Sequence, residues 1–560
     1  MSNRRFSNPS LIAPSTNGRW GLKALPAIVL ACATAATASA QANKAVSRST
    51  DEGGWPNNDS YFSVISDDGR FIAFQSEASN LSGNDSNGSY DIFRRDIVKG
   101  TTDLVSVSTS GYAGNGLSMA PTISGDGRLV VFASSASNLI SGDTNGQWDV
   151  FVRDMDTETT WRISVYSDGR QGNNRSDSPA ITPDGRYIAF HSLVSFDSAD
   201  TNGGYDVYLH DLNDGRTTLV STTADGTVGN GDSIWPQISE DARSVVLFSG
   251  ATNFVSGDTN GWSDVFVKDL LTGTIERVNV SSTGTQANGE TIWPYISGDG
   301  SAVTFCSKAS TLVTGDSNNN WDAFVHTMAD GQTTRINVRP DGGQADSYTR
   351  SPTSLTGNGR YVAFASLATD LVDGDTNGMQ DIFIRDLLNE TTQRVDFGYE
   401  GDEVNDDCFV PDLTSDGRYL TMTSEARNLD YGFAWYTRNI YVTDLDAALY
   451  LTQDDLVRGH NAEFTAFACE PGETVYFVYS TKGLGNGPCP PQLGNLCLDL
   501  RDPVKTLGKA VADASGTAAL TKKIPGSAPL IDVYTQAVAR RGNKGSDSVK
   551  SHFVSATIMP

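Results

Sequence analysis

Apolar residues in this chain come in short runs between polar turns, and the runs recur in a fixed order. A short run such as Pro121-Thr122-Ile123-Ser124 precedes a tight turn. Next comes an apolar run ending in Phe-x-Ser, as in Val130-Val131-Phe132-Ala133-Ser134 or Tyr187-Ile188-Ala189-Phe190-His191-Ser192. A long polar stretch leads to a third run, Asp149-Val150-Phe151-Val152-Arg153-Asp154. A tight turn then leads to a fourth, Thr160-Trp161-Arg162-Ile163-Ser164-Val165. Their β-branched and aromatic content, with Gly, Asn and Asp between them, predicts four antiparallel strands per unit.

The first turn sets the period. It reads Ser-x-Asp-Gly-Arg in its clearest copies, and its first Asp or Asn falls at positions 68, 126, 184, 241, 299, 358 and 416. Seven copies of a four-strand unit predict an all-β fold, a seven-bladed β-propeller of four-stranded blades. The seventh copy lacks a clear outer strand after Asn439-Ile440-Tyr441-Val442. Ala45-Val46-Ser47-Arg48-Ser49-Thr50 resembles the outer strand Leu104-Val105-Ser106-Val107-Ser108-Thr109, so the N-terminus is expected to complete the last blade. Closure of this kind removes unpaired strand edges. The propeller is assigned to residues 41–446. After it the period stops, but Thr474–Tyr479 and Ile531–Val538 still read as strands. Residues 447–560 are therefore expected to form a small C-terminal β-sandwich-like domain, within the usual domain size.

The repeats resemble the TolB-type, WD-like propeller family, in which Ser-Pro-Asp-Gly precedes an apolar strand and an Asp-Ile-Phe/Tyr-Val strand. Thr182-Pro183-Asp184-Gly185-Arg186 and Asp381-Ile382-Phe383-Ile384-Arg385-Asp386 carry the resemblance, which covers residues 45–445. It implies the propeller fold. The chain departs from TolB itself, which has six blades and an N-terminal α/β domain, so a role in envelope integrity does not carry over.

Residues 1–40 read as an export signal. Arg4, Arg5, Arg19 and Lys23 give a basic start, Ala24–Ala38 is apolar, and Ala38-Ser39-Ala40 is a cleavage site. The expected product is secreted or periplasmic, monomeric and without a membrane span. Removing this segment takes away four basic residues and no acidic ones, so the formal charge goes from −26 to −30. So acidic a chain repels phosphate backbones, which excludes nucleic acid as a partner. Export permits disulfides, and Cys489 with Cys497, which bracket a short loop, is the expected pair. Cys306 reads as a free core thiol, and Cys408 with Cys469 is an open possibility. No cysteine spacing forms a zinc site.

Strand alternation puts the short turns on one face and the long loops on the other, where binding is expected. The long loops between the second and third strands repeat Asp-x-Asn-Gly-x-x-Asp. The motif falls at Asp143/Asn145/Asp149, Asp200/Asn202/Asp206, Asp258/Asn260/Asp264 and Asp375/Asn377/Asp381. Near copies are Asp85/Asn87/Asp91 and Asp316/Asn318/Asp322. In the seventh unit, Phe433 and Asn439 stand at the corresponding ends. Alternating Asp and Asn before Gly supply the oxygens and the turn that calcium needs. The same residues also form Asx turns that cap backbone N–H groups. Both readings stand on the sequence.

A second motif, Gly114-Asn115-Gly116, Gly172-Asn173-Asn174, Gly229-Asn230-Gly231 and Ala287-Asn288-Gly289, falls on the same face. Trp55, Trp235 and Trp293, each before Pro, either line a channel mouth for a sugar or peptide, or pack between blades. The arginine of the short turn is expected to pair with a neighbouring blade's carboxylate or carbonyl. His191, His210 and His326 replace ordinary strand residues, and His460 and His552 are scattered. No nucleophile elbow is present. The sequence therefore favours a non-enzymatic binding scaffold with a protein or glycan partner, and calcium as the candidate cofactor. The alternative is a secreted carbohydrate-active enzyme, a lyase or hydrolase, using carboxylates on the long-loop face.

Overall fold

The structure is a computed structural model. It describes residues 42–50, 54–85, 87–399, 401–430 and 437–445. Beyond them it describes 450–453, 456–458, 460–467, 473–482, 500, 503–512, 518–525, 527–529, 531–539 and 549–558. The expected export signal, Phe433, Cys469 and the Cys489–Cys497 pair lie outside the described residues.

Every element among the described residues is a strand. Between residues 42 and 444 the strands form seven four-stranded antiparallel sheets, the blades of a β-propeller. In blade two the strands are Ser118–Ile123, Leu129–Ser134, Asp149–Asp154 and Thr159–Arg162, hydrogen-bonded in that order. The other blades repeat this order. The inner strands are Ser60–Ile65, Ser118–Ile123, Ser176–Ile181, Ser233–Ile238, Thr291–Ile296, Ser354–Leu355 and Cys408–Leu413. Each touches the next, and the last touches the first, so the ring closes.

The closing blade takes its outer strand from the N-terminus. Ala42–Ala45 pairs with Asn439–Asp444, with Ala42 opposite Asp444 and Ala45 opposite Tyr441. The Val46 N–H adds a bond to the Ile440 carbonyl at 2.7 Å, as Val105 does to Ile92 in blade one. The equivalence of Ala45-Val46 with Leu104-Val105 therefore holds. The ladder itself lies mostly before Ala45, because each outer strand ends where this shared motif begins.

Blade cores rest on paired aromatics. Phe132 lies opposite Phe151 across the second and third strands, with ring centroids 6.1 Å apart, and both are fully buried. Phe74 with Phe93, Phe305 with Phe324 and Phe364 with Phe383 repeat the arrangement. Such pairs add roughly 0.5–1.5 kcal/mol each beyond their buried area.

The short turns are structural, but among the described residues the carboxylates that their arginines pair with belong to their own blade, not to the neighbouring one. Arg70 pairs with Asp96 at 2.7 Å, Arg186 with Asp211 at 2.7 Å and Arg418 with Asp444 at 2.9 Å, all within one blade. The hairpin register explains this. Phe71 stands opposite Asp96, so the preceding arginine reaches the last residue of the third strand. The turn glycine makes the contact between blades instead. Gly127 has φ 71°, and a Cβ there would overlap the Phe71 ring of blade one. Gly69 stands the same way against Tyr419 of blade seven, across the point of closure.

His210 and His326 occupy positions held by Arg95, Arg153, Lys268 and Arg385 in other blades. Lys268 shows the role: its ammonium donates to the Thr222 carbonyl at 2.7 Å, bridging to the loop before its own blade. His210 Nδ1 lies 2.9 Å from the Thr217 hydroxyl and His326 Nδ1 lies 2.8 Å from Thr333. Burial lowers the pKa of both imidazoles. Cys306 and Cys408 are buried free thiols, so the Cys408–Cys469 pairing is not made.

Past the propeller, Tyr450–Gln453, Asn461–Phe467 and Ala518–Lys523 form one sheet. Lys505–Val511, Thr474–Ser480, Asp532–Ala539 and Val549–Thr557 form another. Phe464, Val475, Phe477, Val533 and Ala537 share one core.

Candidate functional site

Register fixes which ends of the strands carry the long loops. Ser118 stands opposite Ser134, Ser134 opposite Asp149, and Phe151 opposite Arg162. The start of the first strand, the end of the second, the start of the third and the end of the fourth thus share one end of the blade. Both kinds of long loop leave from that end.

Each acidic loop holds an Asx turn. Asn145 Oδ1 accepts the Gln147 N–H at 2.9 Å, and Asn87, Asn202, Asn260, Asn318 and Asn377 each accept from the residue two further on. The Asn side chain also reaches the following loop: Asn87 Nδ2 donates to the Gly114 carbonyl at 2.8 Å and Asn202 Nδ2 to Gly229 at 2.8 Å. Asn115 Nδ2 in turn donates to the Ser137 hydroxyl at 3.0 Å, so the Gly-Asn-Gly motif joins loops. These asparagines act as backbone caps.

The carboxylates are arranged differently. The last Asp of each motif opens the third strand and is buried. Asp149 Oδ1 accepts from the Ser164 hydroxyl at 2.6 Å and Asp264 Oδ1 from Asn279 Nδ2 at 2.6 Å. In four blades an arginine at the end of the fourth strand lies against both carboxylates. Arg162 Nη1 is 3.4 Å from Asp143 and 3.5 Å from Asp149. Arg277 is 3.2 Å from Asp258 and 3.1 Å from Asp264. Arg335 is 3.8 Å from Asp316 and 3.5 Å from Asp322, and Arg394 is 3.4 Å from Asp375 and 3.8 Å from Asp381.

Blades one and three have Leu104 and Leu219 at that position. There Asp85 Oδ1 and Oδ2, Asp91 Oδ2, Asp200 Oδ1 and Asp206 Oδ2 are buried without a hydrogen-bond partner. The remaining oxygens are held by the Ser106, Ser221 and Tyr208 hydroxyls. Burial, reinforced by the neighbouring carboxylate, raises Asp91 and Asp206 to about 7. Among the described residues, no group of three or more His, Cys, Asp or Glu side chains gathers as a metal site.

Further in, the long-loop face narrows to the channel mouth. Here no two blades carry the same cross-strand pair. The cross-strand pairs at this level are Tyr61/Gln75, Met119/Ala133, Asp177/His191, Ile234/Phe248, Ile292/Cys306 and Phe409/Thr423. The next residue of the inner strand is a bulge. Phe62, Ala120, Ser178, Trp235, Trp293 and Val410 all have φ between 47° and 53°, a left-handed conformation that costs roughly 1–2 kcal/mol for a residue with a side chain. At the bulges Phe62 is 47% exposed and Trp235 is 36% exposed. Trp235 stacks on Phe248 of its own blade at 5.6 Å and is not packed away between blades.

Cations line the aromatics. Arg350 lies 5.7 Å from the Trp293 ring and 5.1 Å from Trp321, and Arg438 lies 5.0 Å from Tyr61 and 5.4 Å from Phe409. His191 Nε2 is 2.6 Å from Asp177, which also pairs with Arg175. Burial would raise the Asp177 carboxyl, but these two partners outweigh it and hold it at about 2. Arg175, Asp177, Arg350 and Arg438 were not among the sequence candidates. Their signal is that one column of an otherwise regular repeat changes its chemistry from blade to blade.

The far end of the channel is acidic. Asp67 and Glu240 there immediately precede the short-turn Asp, and the backbone links blades at this level: Asp67 N–H bonds the Gly125 carbonyl at 3.0 Å and Glu240 N–H bonds Gly298 at 2.8 Å. Asp67, Glu240, Tyr295 and Asp412 line a cavity of about 190 Å³. Asp412 accepts from the Ile65 N–H and the Ser354 hydroxyl, and burial raises it to about 6.

Solved propellers resemble this chain. An oligogalacturonate lyase from Vibrio parahaemolyticus is 11% identical with a TM-score of 0.43, over 72% of this chain and 97% of that one. An oligogalacturonate lyase in complex with manganese is 12% identical with a TM-score of 0.44, over 73% and 98%. A putative TolB from Agrobacterium tumefaciens is 15% identical with a TM-score of 0.32, over 50% and 80%. The likeness is one of fold. No family model matches the chain, and no curated protein matches it. Among the described residues, no helix is long and apolar enough to cross a membrane.

Proposed function

We propose that this chain is an exported, monomeric binding scaffold whose channel mouth captures a glycan or peptide segment. One observation carries the reading. A duplicated blade keeps what the fold requires, and at the mouth no two blades carry the same cross-strand pair. The divergent positions carry half-exposed aromatics and arginines, which suit stacking on a sugar face or a peptide side chain. Strained bulges at the same level also fit a working surface. A glycan and peptide array tests the proposal. Phe62→Ala with Trp235→Ala is expected to lower binding at least tenfold while leaving the melting temperature near that of the wild type. Intact ligand recovered after binding supports the scaffold.

The second reading is a carbohydrate-active lyase or hydrolase. The His191–Asp177 pair favours it, because a histidine beside a carboxylate is suited to proton transfer. Shortened products released from the array, and lost with His191→Gln, would establish the enzyme instead.

A further inference from the structure

Two of the six acidic loops differ from the rest in a way that turn formation does not explain. All six have the capping Asn and the buried Asp at the start of the third strand. The difference lies at the end of the fourth strand. Arg162, Arg277, Arg335 and Arg394 stand there in four blades, and Leu104 and Leu219 in the other two.

The atoms correspond. Each arginine faces Oδ1 of the first Asp and Oδ2 of the last: Asp143 with Asp149, Asp258 with Asp264, Asp316 with Asp322, and Asp375 with Asp381. In blades one and three the same atoms, Oδ1 of Asp85 and Asp200 and Oδ2 of Asp91 and Asp206, have neither a hydrogen bond nor a facing cation among the described residues, whereas Asp375 Oδ1 and Asp381 Oδ2, also without a hydrogen bond, still face Arg394. Their residues are 9%, 6%, 0% and 0% exposed, so solvent screens them little. Two ionised carboxylates held this way, without a counter-charge, are costly. No ion pair to any of the four exists among the described residues.

We infer that blades one and three, unlike the other acidic loops, each take up one hard divalent cation of the calcium class, between Asp85 and Asp91 and between Asp200 and Asp206. The donors are all oxygen, which favours calcium or magnesium over metals that prefer nitrogen or sulfur. Two carboxylates with neutral Asn, backbone and water oxygens suit calcium, which tolerates irregular coordination, better than magnesium. In the other four loops the guanidinium serves as a built-in cation. The inference is independent of what the mouth binds.

Equilibrium dialysis of the full chain against radioactive calcium tests it. A background of about 0.15 M KCl screens diffuse attraction to the acidic surface. The Leu104→Arg and Leu219→Arg variants should each bind one ion fewer than wild type, and the double variant two fewer. Asp143→Asn, in an arginine blade, should leave uptake unchanged. Calcium should raise the melting temperature of the wild type and not of the double variant. If a Leu→Arg variant does not fold, Asp85→Asn and Asp200→Asn carry the same test. Equal uptake by wild type and the double variant, or loss of an ion in Asp143→Asn, would overturn the assignment. So would a wild type that binds no calcium.

Discussion

Asp412 is a buried carboxyl whose protonation bears on stability. Burial raises it to about 6, well above its unfolded value. The folded state therefore keeps a proton that the unfolded state releases. That contribution is complete below the unfolded value near pH 4 and is lost as pH rises through about 6. Between pH 5 and 8 the wild type should lose about 1.4 kcal/mol relative to Asp412→Asn. Parallel denaturant melts at the two pH values measure the difference, and parallel curves would contradict it. A second residue departs from its own repeat. Ala242 has φ 56° where the other short turns have Gly. Ala242→Gly should stabilise by about 1 kcal/mol in a urea melt. The short turn was legible as a turn, because Asp-Gly turn chemistry is local. The partner of the arginine was not, because it depends on which residue the hairpin register sets opposite it.

Strands, their order and the long-loop face were legible because alternation and turn chemistry agree in every copy. The borrowed outer strand was legible as well, since Ala45-Val46-Ser47 matches Leu104-Val105-Ser106. It is held by more than its ladder: Asn43 Nδ2 donates to the Phe397 carbonyl at 2.5 Å, tying blade seven to blade six. Deleting residues 41–47 would leave the Asn439–Asp444 edge unpaired. We expect a lower melting temperature and concentration-dependent light scattering, as an exposed edge templates association. Unchanged melting would show that the ring does not depend on this strand. The bulge in the inner strand was not legible. It shifts the register by one residue without breaking the apolar pattern, so Phe62 did not stand out as a mouth residue, and Trp235 could be read either as lining the mouth or as packing between blades.

Across the whole molecule the sevenfold period explains the architecture, and departures from it mark the function. Where the copies agree, a residue serves the blade: the paired phenylalanines, the turn glycines, the capping asparagines. Where they disagree, it either changes the local charge, as Leu replaces Arg beside the acidic pairs, or faces the channel mouth. The two faces can be compared directly. Leu271 and Leu388, on the short-turn face, are 79% and 72% exposed and offer apolar surface away from the mouth. The most direct measurement is one glycan and peptide array probed with three proteins: wild type, Phe62→Ala with Trp235→Ala, and Leu271→Ala with Leu388→Ala. Loss of signal with the mouth variant alone is the predicted result. Loss with the short-turn variant alone, with the mouth variant binding like wild type, would contradict the account.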